Sequence, residues 1–261
     1  MIIGASFNTG DISQWENRCL MYGDGVFETM RYKSQRVALW PWHVARLQKS
    51  LAYLQMDLSD LTSIENCINE QTDYDQSVLR LTVFRQQSQR GYPPVSRDTH
   101  WLISRFPFQA QGGPQILGLA GRHLSPQPLL KGLKHLNRLP QILIAAELNG
   151  RHVDDLLVCN QRGDVIETTC QNLLVVKDGQ LYTPDTQDCG VNGVALSWLN
   201  EQLPIETKRL DLTDIKQADA IMTANAVHGF RTVSSIKTLA KFQTNHPICD
   251  RISRLWQQLI D

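Results

Sequence analysis

Two hydrophobic rhythms divide the chain into expected elements. Alternation with a period of two, in β-branched and aromatic residues, marks strands. It runs from Val26 to Tyr32, led in by the turn Gly23-Asp24-Gly25, and returns in a short segment from Arg36 to Leu39. Alternate side chains of a strand share a face, so Phe27, Thr29 and Arg31 point one way, and Val26, Glu28 and Met30 the other. A spacing of three to four marks helices. Val44, Leu47, Leu51 and Leu54 form one stripe behind Pro41, whose missing N–H suits a first turn. A second helix runs through Ile64, Cys67 and Ile68, with Ser59 as its expected N-cap. Val78 to Phe84 and Trp101 to Phe106 then read as paired strands across the loop Arg90-Gly91-Tyr92-Pro93-Pro94.

The rhythm breaks at Gln109-Ala110-Gln111-Gly112-Gly113-Pro114, the best linker by composition. It separates an α+β domain over residues 1–108 from a second domain over 115–261, with 109–114 between them. Ile116 to Ala120 opens the second domain as a strand. Asn137 is the expected cap of a helix with the stripe Leu139, Ile142, Leu143 and Ala146, and Pro140 falls in its first turn. Asp155 to Cys159 and Val165 to Glu167 are strands around the turn Gln161-Arg162-Gly163-Asp164. Leu173 to Val176 and Gln180 to Thr183 pair about Asp178-Gly179, a strong hairpin signal. Gly190-Val191-Asn192-Gly193 runs into a helix carrying Val194, Leu196, Trp198 and Leu199. Strands follow near Ile205 to Leu210, Ala220 to Thr223 and Arg231 to Val233, and the stripe Ile252, Leu255, Trp256, Leu259 closes the chain as an amphipathic helix.

Composition narrows the function classes. Lys and Arg together number 26, as do Asp and Glu, so no global field attracts nucleic acid or an anionic membrane, and a small molecule is the expected partner. The six cysteines are scattered without a C-x-x-C pair, which fits reduced thiols and implies no metal. The N-terminal residues lack a basic region followed by an apolar run, and no later apolar run reaches spanning length, so a cytoplasmic protein is expected.

The candidate chemistry centres on Gly132-Leu133-Lys134-His135-Leu136-Asn137-Arg138-Leu139-Pro140. A lysine attacks a carbonyl only as the neutral amine, and desolvation or neighbouring cations provide that form. Lys131, His135 and Arg138 supply positive charge around Lys134, and Leu133, Leu136 and Leu139 supply apolar surroundings. Taken alone, a lysine in such a mixed segment is far more often a solvated surface charge. At the other chemical pole, Gly190 to Gly193 before a helix offers backbone N–H groups and a helix dipole to an anion, and Arg46 lies near the start of the first long helix.

With these pieces in order the chain resembles the fold-type IV pyridoxal-phosphate enzymes, which include branched-chain and D-amino-acid aminotransferases and aminodeoxychorismate lyase. The resemblance is carried by Tyr22 to Thr29, His43-Val44-Ala45-Arg46-Leu47, Arg90-Gly91-Tyr92, Gly132 to Leu139, Gly163 to Glu167 with Asn172-Leu173, Tyr182-Thr183-Pro184, and Gly190 to Gly193. The run Lys-His-Leu-Asn-Arg-Leu after a glycine is most similar to the lyase members. The resemblance implies a small α+β N-terminal domain, a larger β-barrel-like C-terminal domain with helices, and a homodimer. It implies pyridoxal 5'-phosphate as cofactor, held covalently by Lys134, with Glu167 paired to the pyridine nitrogen. Arg46, Val191, Asn192, Thr223 and Asn225 would hold the phosphate. It also implies a 4-amino-4-deoxychorismate substrate, cleaved to 4-aminobenzoate and pyruvate on the route to folate. Thr29 is then the candidate proton donor to the leaving group, with Arg31, Arg90 and Phe27 lining the substrate site. Pro140, and Thr168-Thr169-Cys170-Gln171 after the glutamate, depart from the usual pattern of the lyase members. Two rivals stand beside this reading: an aminotransferase acting on a D-amino or branched-chain amino acid, and a non-catalytic protein that kept the fold.

Overall fold

The computed structural model describes residues 1–58, 60–71, 75–86 and 90–261. The chain divides into two compact units: Met1–Gln109 together with Lys134–Asn137, and Ala110–Leu133 together with Arg138–Asp261. The first boundary falls inside the glycine-rich stretch at 109–114. Assignment of Lys134–Asn137 to the first unit has no counterpart in the hydrophobic pattern.

In the first unit the strands β1 (Ile2–Ala5), β2 (Gly25–Lys33), β3 (Arg36–Val37), β4 (Gln76–Arg85) and β5 (Thr99–Pro107) form one sheet in the order β1-β5-β4-β2-β3. All its pairings are antiparallel. Three helices accompany it: α1 (Arg18–Tyr22), α2 (Trp40–Tyr53) and α3 (Leu61–Asn69). Met30 and Tyr32 from β2, Leu79, Leu81 and Val83 from β4, and Leu47, Leu51, Ile64 and Ile68 from the helices share one core. The helix stripe and the even face of β2 thus meet as their periodicities require. Leu39 ends the short return segment in a left-handed conformation and serves as N-cap of α2, so the strand stops at Val37. Asp60 caps α3 by accepting the Ser63 N–H at 2.9 Å. Ser59, the expected cap, lies outside the described residues.

The second unit carries β6 (Gln115–Leu119), β7 (Asp155–Cys159), β8 (Val165–Thr168), β9 (Asn172–Lys177), β10 (Gln180–Pro184), β11 (Glu206–Lys208), β12 (Ala220–Asn225), β13 (Gly229–Ile236) and β14 (Ala240–Lys241). They form a nine-stranded sheet in the order β11-β10-β9-β12-β13-β6-β7-β8, with β14 on β13. β8, at one end of that order, comes back against β9, so the sheet curls on itself in the barrel-like manner expected. Asp178 and Gly179 both take positive φ, the turn that matches the twist of β9 and β10. The helices are α4 (Leu139–Ala145), α5 (Val194–Gln202), α6 (Leu212–Lys216) and α7 (Pro247–Ile260). No helix among the described residues is long and apolar enough to cross a membrane.

Two expectations for the segment after Lys134 are corrected. Asn137 does not cap α4: its amide donates to the Gly23 C=O at 3.1 Å, and the cap position is Arg138, without a side-chain hydrogen bond. The apolar stripe does not face the core either. Leu139, Ile142 and Leu143 are 64%, 61% and 50% exposed, and Ile144 instead packs on Leu156 and Val158. A seven-residue helix has too few turns for a spacing rule to select the buried face.

Candidate active site

The segment Lys134–Asn137 is laid along the start of β2. The Phe27 N–H donates to the Lys134 C=O at 2.9 Å, the Leu136 N–H donates to the Gly25 C=O at 3.0 Å, and His135 bridges to Val26. Gly25 allows this approach, since a Cβ there would sit 2.6 Å from the Val83 carbonyl and 2.9 Å from Leu136. The backbone bonds fix the root of Lys134, and its ammonium lies 4.6 Å from the centre of the Phe27 ring.

The odd face of β2 carries Phe27, Thr29 and Arg31, as the alternation requires. Thr29 stands directly opposite Arg80 of β4, and the Arg80 guanidinium lies 4.0 Å from the Phe27 ring. Arg80 makes no ion pair with an acidic side chain among the described residues, and burial lowers its pKa, with a smaller opposing influence of Cys19. A guanidinium in that condition is a ready partner for a carboxylate. Arg31 is more constrained: it is buried, donates to Gln76 at 2.8 Å and stacks 3.6 Å from the Phe108 ring. Arg90 is exposed, while the next two residues are held by Arg18, which donates to the Gly91 and Tyr92 carbonyls at 2.7 and 2.9 Å. Arg18 itself, with Arg85, converges on the Asp24 carboxylate.

The even face of β2 is apolar except at Glu28, which is 2% exposed. Its carboxylate accepts the Arg46 Nε–H at 2.8 Å and a further Arg46 bond from Nη2, and it meets His43 Nδ1 at 2.6 Å. Burial alone would raise the Glu28 pKa; the Arg46 charge and the His43 bond outweigh it and bring it down to about 2. Burial lowers the His43 pKa more than Glu28 raises it, and Arg46 and Lys134 push the same way as burial. The candidate phosphate-binding Arg46 therefore sits in an ion pair within its own unit.

In the second unit Glu167 is buried near the end of β8 and accepts the Val191 N–H at 3.1 Å. The Asn192 N–H goes to the Gly132 C=O at 3.2 Å, and the Asn192 side-chain oxygen accepts from Thr186 at 2.9 Å. Gly193 is the N-cap of α5, with no side chain capping the first turn; a Cβ there would fall 1.9 Å from Asn172 Oδ1. Thr223 is completely buried and committed to Gln171 at 2.9 Å and to Gln115. Asn225 caps the turn after β12 by accepting the Val227 and His228 N–H groups at 3.0 and 2.7 Å. A cleft of about 380 Å³ opens beside α5, lined by Asn172, Thr183, Asn192, Ser197 and Asn200 among others, with no basic residue. All six cysteines are free thiols. No group of three or more potential metal ligands occurs among the described residues.

The description "Amino-transferase class IV" matches residues 25–236. The chain belongs to that family. It is 34% identical over 233 residues to an aminodeoxychorismate lyase of Vibrio harveyi, covering 84% of this chain and 86% of the relative. It is 27% identical over 219 residues to a putative branched-chain-amino-acid aminotransferase of Methanocaldococcus jannaschii, covering 77% and 75%. Among solved structures, a 4-amino-4-deoxychorismate lyase of Pseudomonas aeruginosa superposes with a TM-score of 0.88 at 26% identity over 98% of each chain.

The residues present fit the phosphorylated pyridine aldehyde used by class IV enzymes. Glu167 is a buried carboxylate, the counter-charge that a protonated ring nitrogen needs. The first turn of α5 lacks a side-chain cap, the state in which a helix start binds an anion. Lys134 is rooted by its backbone with an aromatic face against its ammonium. Sequence reasoning missed Arg80, Glu28 and His43. A carboxylate at a core-face position of β2 was a visible signal for Glu28; the register that sets Arg80 across from Thr29 was not visible at all.

Proposed function

We infer that the protein is a pyridoxal-phosphate-dependent lyase that cleaves 4-amino-4-deoxychorismate to 4-aminobenzoate and pyruvate. The observation that carries this reading is the odd face of β2 and β4. A lysine ammonium and an arginine without an acidic partner among the described residues lie against one aromatic ring, and Thr29 stands across the strands from that arginine, which suits a substrate with two carboxylates. The likeness to lyases of Vibrio harveyi and Pseudomonas aeruginosa supports the same reaction.

The cofactor, when bound, supplies an electron sink for the substrate carbon. Lys134 would hold it, and its amine would take the ring C–H proton of the substrate. Glu167 would hold a proton on the cofactor's pyridine nitrogen. The C–O bond to the enolpyruvyl group breaks as the ring becomes aromatic, and Thr29 donates a proton toward the methylene carbon of the departing group. Arg80 meets a substrate carboxylate, with Arg31 and Arg90 as further candidates and Phe27 as the shared wall. Arg46, Val191 and Asn192 serve the phosphate, with Thr223 and Asn225 assisting through the strand and turn they order.

The aminotransferase relatives favour a second reading, amino transfer between an α-amino acid and a keto acid with the same lysine and glutamate. Incubation of the purified protein with aminodeoxychorismate, and separately with D-alanine or leucine plus a keto acid, separates the two. Pyruvate and 4-aminobenzoate in equal amounts from the first mixture are expected; brisk transfer in the second without release in the first would replace the lyase reading.

A further inference from the structure

Glu28 is a carboxylate placed where the strand pattern demands a hydrophobe, between Val26 and Met30 on the core face of β2. Such a position is costly for a charge unless the charge is paired and hydrogen-bonded. Here it is doubly paired. Arg46 presents its Nε and Nη2 edge to both carboxylate oxygens, so the planes of the two groups are fixed together, as a fork-to-fork pair requires. His43, one helical turn before Arg46 on α2, meets the same carboxylate at 2.6 Å through Nδ1 and is 1% exposed.

The remaining ring nitrogen of His43, Nε2, is buried without a hydrogen-bond partner. An imidazolium would have to bury an unsatisfied N–H there, so His43 is the neutral tautomer that donates from Nδ1. The net charge of Glu28, His43 and Arg46 together is then zero, which allows three such groups to stay in the core of the unit.

We propose that Glu28, backed by His43, is a positioning residue for Arg46 that holds its guanidinium in one orientation for the cofactor phosphate. This rests on reading Arg46 as a phosphate-binding residue. Glu28 takes the Nε and Nη2 edge with both of its oxygens, so the plane of the guanidinium is set by the carboxylate. Two influences of Glu28 oppose each other. Its charge offsets part of the attraction of Arg46 for an anion, while its two bonds remove the rotamer freedom that the long side chain would otherwise lose on binding. Directed N–H bonds at short range depend steeply on geometry, so positioning outweighs the lost attraction.

The test compares pyridoxal 5'-phosphate with pyridoxal, which differs only in the phosphate, by absorbance titration of the full chain. In Glu28→Gln the preference for the phosphorylated form is expected to fall roughly ten- to hundredfold, the scale of a lost charge-assisted bond, with pyridoxal affinity unchanged. Glu28→Asp, which keeps the charge but withdraws it by one methylene, is expected to fall in between and decides the matter if the glutamine variant does not fold. Arg46→Gln is the reference. If it lowers the preference while both Glu28 variants keep it or raise it, the positioning role is wrong and the Arg46 reading stands. If Arg46→Gln leaves the preference unchanged, Arg46 does not meet the phosphate and the proposal falls with it.

Discussion

At the scale of single residues the chemistry turns on Lys134 and Thr29. Lys134 has its backbone tied to Phe27 and its ammonium against that ring, so its position is set before any ligand arrives. Borohydride treatment of the yellow protein is expected to bleach it and fix the cofactor on Lys134; peptide mapping that put the label on the exposed Lys131 would refute the assignment. Thr29 faces Arg80 with no hydrogen-bond partner for its hydroxyl among the described residues. Thr29→Val keeps the β-branched shape and deletes only the hydroxyl. Pyruvate release from aminodeoxychorismate is expected to slow on the order of 10²-fold, the contribution of a positioned acid, with the cofactor band intact. Release at the wild-type rate would take Thr29 out of the reaction. The pattern of alternation made Phe27, Thr29 and Arg31 neighbours on a face. It said nothing of Arg80, because cross-strand register comes from the whole of β4 pairing with β2, and one residue of slip would have turned Arg80 to the core.

At the scale of elements, the start of α5 shows how tightly a glycine turn is packed. A Cβ on Gly193 would meet Asn172 Oδ1 at 1.9 Å, and Asn172 is held by its own bond to the Val191 carbonyl at 2.9 Å. Gly193→Ala therefore displaces Asn172 or the turn. Loss of about 1–3 kcal/mol, the usual cost of overpacking, is expected in urea unfolding, together with weaker binding of pyridoxal phosphate. Unchanged stability would mean that Asn172 gives way freely. The same element scale explains a failed expectation. Asn137 has the residue type of a helix cap, but its amide reaches Gly23, whose positive φ and missing Cβ leave room for it, since a Cβ there would come within 2.8 Å of the Asn137 side chain. A local capping preference worth about 1 kcal/mol yields easily to a tertiary contact of this kind.

At the scale of the molecule, two consequences follow from burial and exposure. Glu28 is held down to about 2 against an ordinary 4.5, so its contribution to stability is complete above 4.5 and is lost as pH falls toward 2. His43 is lowered from 6.5, so the unfolded chain takes a proton below that pH which the folded core refuses, and stability falls with acid from there. Chemical denaturation from pH 8 to pH 3 is expected to show both losses, and Glu28→Gln should remove the lower one; a wild-type midpoint independent of pH would contradict the buried cluster. The exposed Leu139, Ile142 and Leu143 on α4 offer a second copy an apolar surface to cover, in keeping with the homodimer that the resemblance implies. Sedimentation at assay concentration is expected to give a dimer that Leu139→Glu with Ile142→Glu weakens; a fully active monomer would exclude that assembly.

The sequence by itself determined most of the longer strands and helices, a linker at 109–114, the hairpin at Asp178-Gly179 and the family whose motifs run along the chain, while β1, α1, α6 and β14 went unread. Those depend on local periods, turn residues and short spacings, which act over a few positions. Tertiary structure decided that Lys134–Asn137 joins the first unit, that Arg80 faces Thr29, that Arg46 is mounted on Glu28, and that the stripe of α4 is bare. Each of those depends on a partner far along the chain, and the energy of such a contact is written in neither residue alone.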